Sequence, residues 1–269
     1  MNTPLRNSRV LSIIRNGGVA CSLKINLPSI IGCEIAAMSG ADCVWSCMEH
    51  VPNDYADLVG QSVACKAHDA DFLVRVPRGS YSDLVRPLEL GATGIMVPHV
   101  RSAEEARQLV GQVRFMPLGR RALDGGNADA GYALVPTGEY IRHANEQTLV
   151  IFQIEDPEAM DDLDAICEVP GYDMLFFGPG DFAHALGHVG ELTHPDVVAA
   201  RRKLARAARE HGRLLGTVAH GDMRDLLDEG YCFFNLGADV LALRQYYADA
   251  LQSFRSLRAA YKPCGEGAH

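Results

Sequence analysis

The stretch LVIFQIEDPEAMDDLDAICEVPGYDMLFFGPGD, residues 149–181, contains two short apolar runs separated by a helix-like segment. The runs Leu149–Ile154 and Met174–Phe177 are almost continuously apolar, which is typical of parallel strands covered on both faces. The segment between them, Glu158–Glu168, has a helical pattern. A strand, a helix and a second strand in this order predict a βαβ unit of a parallel sheet.

The same alternation extends to both sides of this stretch. Eight such units without a Pro/Gly/Ser-rich linker favour one closed (β/α)8 barrel over residues 1–262, with 263–269 as a flexible tail. A doubly wound sheet is the alternative, but no G-x-G-x-x-G follows the first strand. The other predicted strands are Val19–Ile25, Cys43–Ser46, Phe72–Val76, Gly94–Val97, Leu214–Val218 and Cys232–Leu236. The other predicted helices are Ile30–Ser39, Tyr55–Ala67, Tyr81–Leu90, Ala103–Val113, Pro195–His211, Met223–Glu229 and Asp239–Ala259.

Local signals mark the ends of several elements. Ser102 with Glu105 forms a capping-box pattern, and Gly91 and Gly230 are expected helix stops. The region Met116–Thr137 interrupts the rhythm because it is rich in Gly and Asp and longer than an ordinary loop. It is predicted to be a functional loop or a flexible excursion.

The composition limits the classes of partner. The 269 residues include 25 Lys+Arg and 34 Asp+Glu, giving a net charge of −9, which argues against nucleic acid or an anionic membrane as the main partner. The apolar runs are far shorter than a membrane-spanning helix, and the N-terminal stretch has no signal-peptide pattern. We therefore expect a cytoplasmic protein acting on a small molecule. The 8 cysteines include no C-x-x-C pair and are expected to be free thiols.

Ionisable residues collect where the predicted strands end. In (β/α)8 barrels the active site is built at the carboxyl ends of the strands, so these side chains are expected to converge on one rim. The residues at these positions are Lys24, Glu49, His50, Arg75, Pro98, His99, Gln153, Glu155, Gly178, Pro179, Gly180, Asp181 and Thr217.

Two carboxylates in this set indicate a metal site. Glu155 ends an apolar strand, where an unpaired carboxylate is unfavourable, and Asp181 follows a Gly-Pro-Gly turn. Two carboxylates together with water and substrate oxygens suit a hard divalent cation. The alternative is that Glu155 pairs with an arginine and Asp181 caps the next turn.

His50 and Arg75 are the other candidates for chemistry. A histidine at the end of a strand can act as a base, although a structural hydrogen bond is the alternative. Arg75 lies between apolar neighbours in FLVRVP, so its guanidinium is expected to bind an oxyanion or a carboxylate. A salt bridge inside the barrel is the alternative for Arg75.

Several segments in the same order resemble the HpcH/HpaI aldolase/citrate lyase family, the metal-dependent class II pyruvate aldolases. They are CMEHVPND, FLVRVP, LELGATGIMVPHVRSAEEA, RFMPLGRR, the stretch 150–187 that contains QIE and GPGD, and HPDV. The resemblance covers roughly residues 18–250. It implies a (β/α)8 barrel whose C-terminal helix, here Asp239–Ala259, is swapped between subunits of a homo-oligomer, a trimer or a hexamer.

The resemblance also implies roles for individual residues. Glu155 and Asp181 would bind a divalent cation (Mg²⁺, Mn²⁺ or Co²⁺), with Gln153 assisting. The backbone of Gly180 and Asp181 would hold the carboxylate of the substrate.

The resemblance implies an acid–base group as well. Arg75 would contact the keto oxygen, and His50 would act as the general base through a water. Glu89 stands where the family usually has an aspartate that supports this histidine.

Three positions depart from the family pattern, and they affect the expected substrate. Cys47 replaces the Asp of D-x-E-H, Lys24 stands where a Trp is common on the first strand, and G-P-A-D-L is here GPGDF. The metal-binding pair is retained. The pocket for the second substrate is altered, so the identity of the aldehyde is left open.

The resemblance implies a lyase that reversibly cleaves a 4-hydroxy-2-oxo acid into pyruvate, or hydroxypyruvate, and an aldehyde through a metal-bound enolate. One alternative is a citrate lyase or malyl-CoA lyase-like enzyme that acts on CoA esters. The other alternative is a non-catalytic barrel that binds a 2-oxo acid.

Overall fold

The computed structural model describes residues 5–261, and its eight strands form a closed parallel barrel. Each strand pairs with the next along the chain, and β8 closes the sheet against β1. The predicted (β/α)8 barrel is therefore confirmed. The strands are β1 (Ala20–Ile25), β2 (Cys43–Cys47), β3 (Asp71–Arg75), β4 (Gly94–Val97), β5 (Leu149–Ile154), β6 (Met174–Phe177), β7 (Leu214–Val218) and β8 (Phe233–Ala238).

Helices surround the barrel and connect its strands. They are α1 (Arg9–Arg15), α2 (Ile30–Met38), α3 (Tyr55–Ala67), α4 (Tyr81–Glu89), α5 (Ala103–Val113), α6 (Thr137–Gln147), α7 (Leu163–Glu168), α8 (Pro179–Ala185), α9 (Pro195–Glu210), α10 (Met223–Asp228) and α11 (Asp239–Ala260). Short 3₁₀ turns lie at Ala128–Ala130 and Pro157–Met160.

Alternation along each strand separates two layers of core. Trp45 and Leu73 belong to the cluster inside the barrel, whereas Val44 and Val74 pack outward against the helices. Successive side chains of a strand point to opposite faces, so every second residue faces the lumen. This parity determines which strand-end side chains can reach the site.

Helix α1 closes the amino-terminal end of the barrel. Its buried Val10 and Leu11 belong to the interior cluster. Asp71, the first residue of β3, accepts hydrogen bonds from the Val10 amide at 2.9 Å and from the Ser8 hydroxyl at 2.6 Å. The opposite, carboxyl-terminal end of the barrel remains available for a site.

The predicted elements agree with the structure to within two residues at most boundaries. The predicted helix Glu158–Glu168 is wrong in its first half, which is a 3₁₀ turn followed by α7. Asp162 leaves the helical conformation there, with φ −111° and ψ 14°. Its carboxylate accepts a hydrogen bond from the Ala103 amide at 2.6 Å, so it bonds to α5 instead of continuing a helix.

Three helices, α1, α6 and α8, were not predicted. The Gly-Pro-Gly turn predicted before Asp181 is instead the start of α8, with Gly178 as N-cap and Pro179 in the first turn. Proline suits this position because its missing N–H would have no partner inside the helix. The region Met116–Thr137 contains one 3₁₀ turn and the first residue of α6, and its Arg121 and Asp129 form an ion pair of 2.7 Å. Its role as a functional loop or a flexible excursion stays a prediction.

The helix stops and one half of the Ser102 capping box are confirmed, whereas the Glu105 carboxylate accepts from the Arg101 amide at 3.0 Å instead of from Ser102. The Ser102 side chain accepts from the Glu105 amide, and Gly91 and Gly230 have φ of 102° and 100°. The seven cysteines in the described part of the chain are free. Cys264 and the predicted tail 263–269 lie outside the described residues.

Two further observations concern surfaces. Among residues 5–261, no helix combines the length and apolarity needed to cross a membrane. Helix α11 has no buried residue, and Tyr246, Phe254 and Leu257 are exposed along it. The expected swap of this helix between subunits stays a prediction.

Candidate active site

A cavity of about 350 Å³ opens at the carboxyl-terminal end of the barrel. Because Trp45 and Phe176 face the lumen, their register partners Lys24 and Gln153 face it too. The resemblance implied roles for seven residues, and six of these seven line this cavity. They are His50, Arg75, Gln153, Glu155, Gly180 and Asp181.

Glu155 is the most enclosed acidic group of the cavity, with 1% of its surface exposed. Its Oε1 accepts the His99 amide at 3.1 Å, and Gln153 donates to its Oε2. Burial and, less strongly, the charge of Asp181 raise the pKa of Glu155, while His99 and Arg75 lower it, and the net value is about 7. The carboxylate therefore has the properties of a group that needs a cation to be fully ionised at neutral pH.

Gly178 leaves the space that Glu155 occupies. A Cβ at this position would lie 2.7 Å from Oε2 and 2.8 Å from Cβ of Glu155. Two residues later along α8, Gly180 has no atom within 4 Å of an added Cβ, and Asp181 is exposed in the first turn. The carboxylates of Glu155 and Asp181 are thus close enough to interact and are open to the cavity.

The donor set fits a hard divalent cation. Two carboxylates and a neighbouring amide oxygen are the ligand types that Mg²⁺ and Mn²⁺ accept. A cation between Glu155 and Asp181 would remove the repulsion that raises the pKa of Glu155. The alternative was an ion pair between Glu155 and an arginine. No such pair is present within residues 5–261.

Arg75 is buried, and its guanidinium has several partners. Nε lies 3.0 Å from Oε2 of Glu49, an ion pair without an aligned hydrogen bond. Nε and Nη2 donate to the Cys47 sulfur at 3.4 and 3.3 Å, and Nη1 is 3.5 Å from Oε1 of Gln153. Arg75 therefore forms the salt bridge considered from the sequence and also lines the cavity.

His50 is half-exposed at the rim, with 59% of its side chain accessible. Its Nε2 is 3.6 Å from Oε2 of Glu49, and its backbone amide donates to the Cys47 sulfur at 3.4 Å. The carboxylate beside His50 is therefore its sequence neighbour Glu49.

Glu89, expected to support His50, is not near it within one copy of the chain. It is the last residue of α4, which runs back toward the start of β4. Burial raises the pKa of Glu89, and the charged groups around it are Arg86, Arg121, Asp124 and Asp129. Within one chain α4 carries Glu89 away from the carboxyl ends of the strands, and the support of His50 by Glu89 stays a prediction.

His99 is a residue for which the sequence suggested a position but no role. It has a positive φ of 56°, and its Nδ1 is 3.0 Å from Oδ2 of Asp156. The same ring reaches Glu155 Oε1 at 3.6 Å and Glu49 Oε1 at 3.5 Å. The sequence places His99 directly after Pro98 at the end of a strand, which indicates a position on the rim. It does not indicate the partners of His99, because they follow two other strands.

The chain is similar to known proteins along most of its length. The profile of the family described as HpcH/HpaI aldolase/citrate lyase matches residues 25–245. A 5-keto-4-deoxy-D-glucarate aldolase of Klebsiella pneumoniae is 33% identical over 231 residues, which are 84% of this chain and 90% of that protein.

Solved structures with the same architecture come from two other bacteria. A HpcH/HpaI aldolase/citrate lyase family protein of Burkholderia cenocepacia is 32% identical, with a TM-score of 0.84 over 93% of this chain and 100% of its own. A HpcH/HpaI aldolase of Desulfitobacterium hafniense is 28% identical, with a TM-score of 0.86 over 91% and 96% of the two chains. The similarity thus spans nearly the whole barrel.

Proposed function

Because this chain belongs to the HpcH/HpaI aldolase/citrate lyase family, we propose that it is a divalent-metal-dependent aldolase. The reaction is the reversible cleavage of a 4-hydroxy-2-oxo acid into pyruvate, or hydroxypyruvate, and an aldehyde. The observation that carries the proposal is the convergence of Glu155, Asp181 and Arg75 on one cavity at the carboxyl end of the barrel.

In this proposal Glu155 and Asp181 hold the cation, which is Mg²⁺, Mn²⁺ or Co²⁺. Gln153 keeps Glu155 in place by donating to its Oε2. When bound, the cation supplies Lewis-acid polarisation of the oxo acid. The amides of Gly180 and Asp181 lie in the first turn of α8, where N–H groups have no partner inside the helix, and they bind the carboxylate of the oxo acid.

Arg75 stabilises the negative charge that develops on the keto oxygen during enolisation. Its ion pair with Glu49 and its bonds to Cys47 fix the guanidinium. Nη1 has only a long contact of 3.5 Å with Gln153, so it can donate to a substrate oxygen. A fixed donor aimed at developing charge is an effective catalytic device.

His50 moves the proton, through a water. In the cleavage direction it accepts the proton of the 4-hydroxyl group, and in the synthetic direction it accepts a C3 proton of pyruvate. Its exposure at the rim gives water access, and Oε2 of Glu49 lies 3.6 Å from its Nε2.

Two alternatives are weaker. The match to relatives named as aldolases covers most of the length of those relatives, which favours an aldolase over a lyase of CoA esters. A non-catalytic barrel would have no need to combine Glu155, Arg75 and His50 in one cavity.

We also propose that the protein acts in the cytoplasm as a homo-oligomer, a trimer or a hexamer. The support is the apolar surface of α11, where Phe254 and Leu257 are 58% and 71% exposed. Light scattering coupled to size-exclusion chromatography measures the mass of the assembly, and a monomer at micromolar concentration would contradict this proposal.

The function is tested by metal removal. Protein dialysed against EDTA should release no pyruvate from 4-hydroxy-2-oxo acids, and activity should return with Mg²⁺, Mn²⁺ or Co²⁺. Glu155→Ala should bind no Mn²⁺ and remain inactive while keeping the circular dichroism of the wild type. Full turnover by metal-free protein would overturn the proposal.

A further inference from the structure

Two histidines and an aspartate meet outside the cavity, between the end of α8 and the start of α9. His188, His194 and Asp196 each place a ligand atom within 4.8 Å of the ligand atoms of the other two. None of the three lines the cavity of the active site, and none has a part in the proposed reaction. The group therefore calls for an explanation of its own.

Local hydrogen bonds bring the two histidines side by side. The amide of Glu191 donates to the carbonyl of His188 at 3.0 Å, and the amide of His194 donates to the carbonyl of Glu191 at 3.0 Å. Gly187 and Gly190, with φ of 83° and 81°, allow the tight turns of this loop. The imidazole rings stack on each other, with centroids 3.4 Å apart and planes inclined by 17°.

The Oδ2 atom of Asp196 is the point that both rings reach. It lies 3.3 Å from Nε2 of His188 and 3.7 Å from Nδ1 of His194. His194 is the N-cap of α9, and its Nδ1 accepts the amide of Asp196 at 3.3 Å. This nitrogen therefore carries a lone pair on the side of the carboxylate, and an unprotonated ring nitrogen is the form that binds a metal.

The distances suit one cation bound by all three side chains. Ligand atoms about 2.1 Å from a tetrahedral cation lie about 3.4 Å from one another, and the distances of 3.3 and 3.7 Å to Oδ2 are close to this value. The stacked rings must open for both lone pairs to point at one cation. Packing does not prevent this rotation, because 27% of the His188 side chain and 26% of the His194 side chain are exposed.

The donor types select a different class of cation from that of the cavity. Two imidazoles and one carboxylate suit Zn²⁺, Ni²⁺ or Cu²⁺, whereas the carboxylates of the cavity suit Mg²⁺ or Mn²⁺. Three protein ligands also leave a fourth position for water. The partial positive charge at the start of α9 opposes a cation, and the carboxylate of Asp196 in the first turn offsets it.

We propose that His188, His194 and Asp196 bind a divalent cation of the zinc class, at a second metal site that joins the end of α8 to the start of α9. Helix α8 carries Gly180 and Asp181, so a cation bound here stabilises the helix that contributes these residues to the cavity. The inference does not depend on the aldolase function, because no substrate takes part in it.

The first test is a calorimetric titration with Zn²⁺. To remove binding in the cavity, all titrations use the Glu155→Ala background with millimolar Mg²⁺. This protein should still bind Zn²⁺ with a stoichiometry of about one per chain. Adding His188→Gln or Asp196→Asn should weaken Zn²⁺ at least about 10- to 100-fold, the loss that even an outer partner of a metal ligand causes.

The matched control is His211→Gln, at the other end of α9. His211 also faces an aspartate, with Nε2 3.9 Å from Oδ1 of Asp164, and it is not one of the three clustered ligands. Its replacement should leave the affinity for Zn²⁺ unchanged. Loss of Zn²⁺ binding in Glu155→Ala itself, or undiminished affinity in His188→Gln, would overturn the inference.

Two further measurements locate the bound cation. Zn²⁺ is diamagnetic, so NMR can follow the histidine rings: the signals of His188 and His194 should shift as the stack opens, while those of His211 stay in place. Zn²⁺ at 100 times its Kd should raise the thermal unfolding midpoint by about 5–10 °C, and this rise should be absent in His188→Gln. Unmoved signals of His188 and His194, or an equal rise in His188→Gln, would place the cation elsewhere and overturn the inference.

Discussion

The Nε atom of Arg75 lies 3.0 Å from Oε2 of Glu49, and the same carboxylate reaches His50 at 3.6 Å and His99 at 3.5 Å. One acidic residue, directly before His50 in the chain, therefore contacts three basic groups from the ends of β2, β3 and β4. Glu49 therefore positions the Arg75 guanidinium beside the His50 ring, and both side chains line the cavity that contains Glu155 and Asp181.

Replacing Arg75 tests the role of its fork of donors. Arg75→Lys should lower kcat about 100- to 1,000-fold, because a point-charge ammonium cannot pair with Glu49 and Cys47 and donate to substrate at once. The thermal unfolding midpoint should fall by only a few degrees. Steady-state kinetics measures kcat of this variant, and calorimetry measures its unfolding midpoint. A loss of stability with unchanged kcat would assign Arg75 a structural role only.

His50→Ala should slow proton removal from pyruvate by about 100- to 10,000-fold, the usual contribution of a general base. Calorimetry should find pyruvate affinity close to that of the wild type, since the ring is not needed for binding. His99→Ala is the matched variant and should stay within about tenfold, because its ring is already engaged by Asp156 at 3.0 Å. A larger loss in His99→Ala than in His50→Ala would exchange the two roles.

The pKa of Glu155, about 7, predicts how the metal-free protein responds to pH. An unfolded Glu titrates near pH 4.3, so between about pH 4.3 and 7 the folded state binds more protons and stability falls as pH rises. Glu155→Gln should remove this decline, which amounts to at most about 4 kcal/mol at pH 8. Urea unfolding at several pH values with EDTA measures it. An identical decline in both proteins would contradict the prediction.

Metal affinity should rise with pH as Glu155 ionises, because the cation binds the ionised carboxylate and releases a proton. Affinity for Mn²⁺ should therefore rise about tenfold per pH unit below pH 7 and level off above it. Titration of Mn²⁺ followed by electron paramagnetic resonance would record this, and a pH-independent affinity between pH 5 and 7 would contradict it.

Gly178→Ala should displace the carboxylate of Glu155, since the added Cβ would meet its Oε2 at 2.7 Å and its Cβ at 2.8 Å. Affinity for Mn²⁺ should fall about 10- to 100-fold. Gly111→Ala in α5 is the control, because nothing lies within 4 Å of an added Cβ there. It should stabilise the helix by up to about 1 kcal/mol and leave metal binding unchanged. Unchanged affinity in Gly178→Ala would mean that Glu155 is free to move.

The barrel and the rim position of the site follow from local sequence patterns. The almost continuously apolar runs at Leu149–Ile154 and Met174–Phe177 define buried parallel strands, and the residues that follow such strands meet at one rim. Glu155, Asp181, His50 and Arg75 are brought to one cavity on this basis. The parity of each strand, which makes Lys24 and Gln153 face inward, is also set by alternation.

What local patterns miss is long-range pairing and helix direction. The partners of His99 lie on two other strands, and nothing adjacent in sequence identifies them. Glu89 ends a helix that runs opposite to the strands, so it belongs to the other end of the barrel. That direction could have been inferred from the βα order, whereas the resemblance alone suggested a pair with His50. Helix α8 was missed because Gly-Pro-Gly is typical of a turn as well as of a helix start.

The exchange of pyruvate C3 protons with D₂O, followed by proton NMR, tests the central claim most directly, because it needs no knowledge of the aldehyde. With Mn²⁺ replaced by diamagnetic Mg²⁺ for the spectra, the wild-type protein should exchange these protons at least about 100-fold faster than the Glu155→Ala variant. EDTA should abolish the difference. Equal exchange by the wild-type protein and Glu155→Ala, with Mg²⁺ present, would contradict the assignment of metal-dependent enolisation to this cavity.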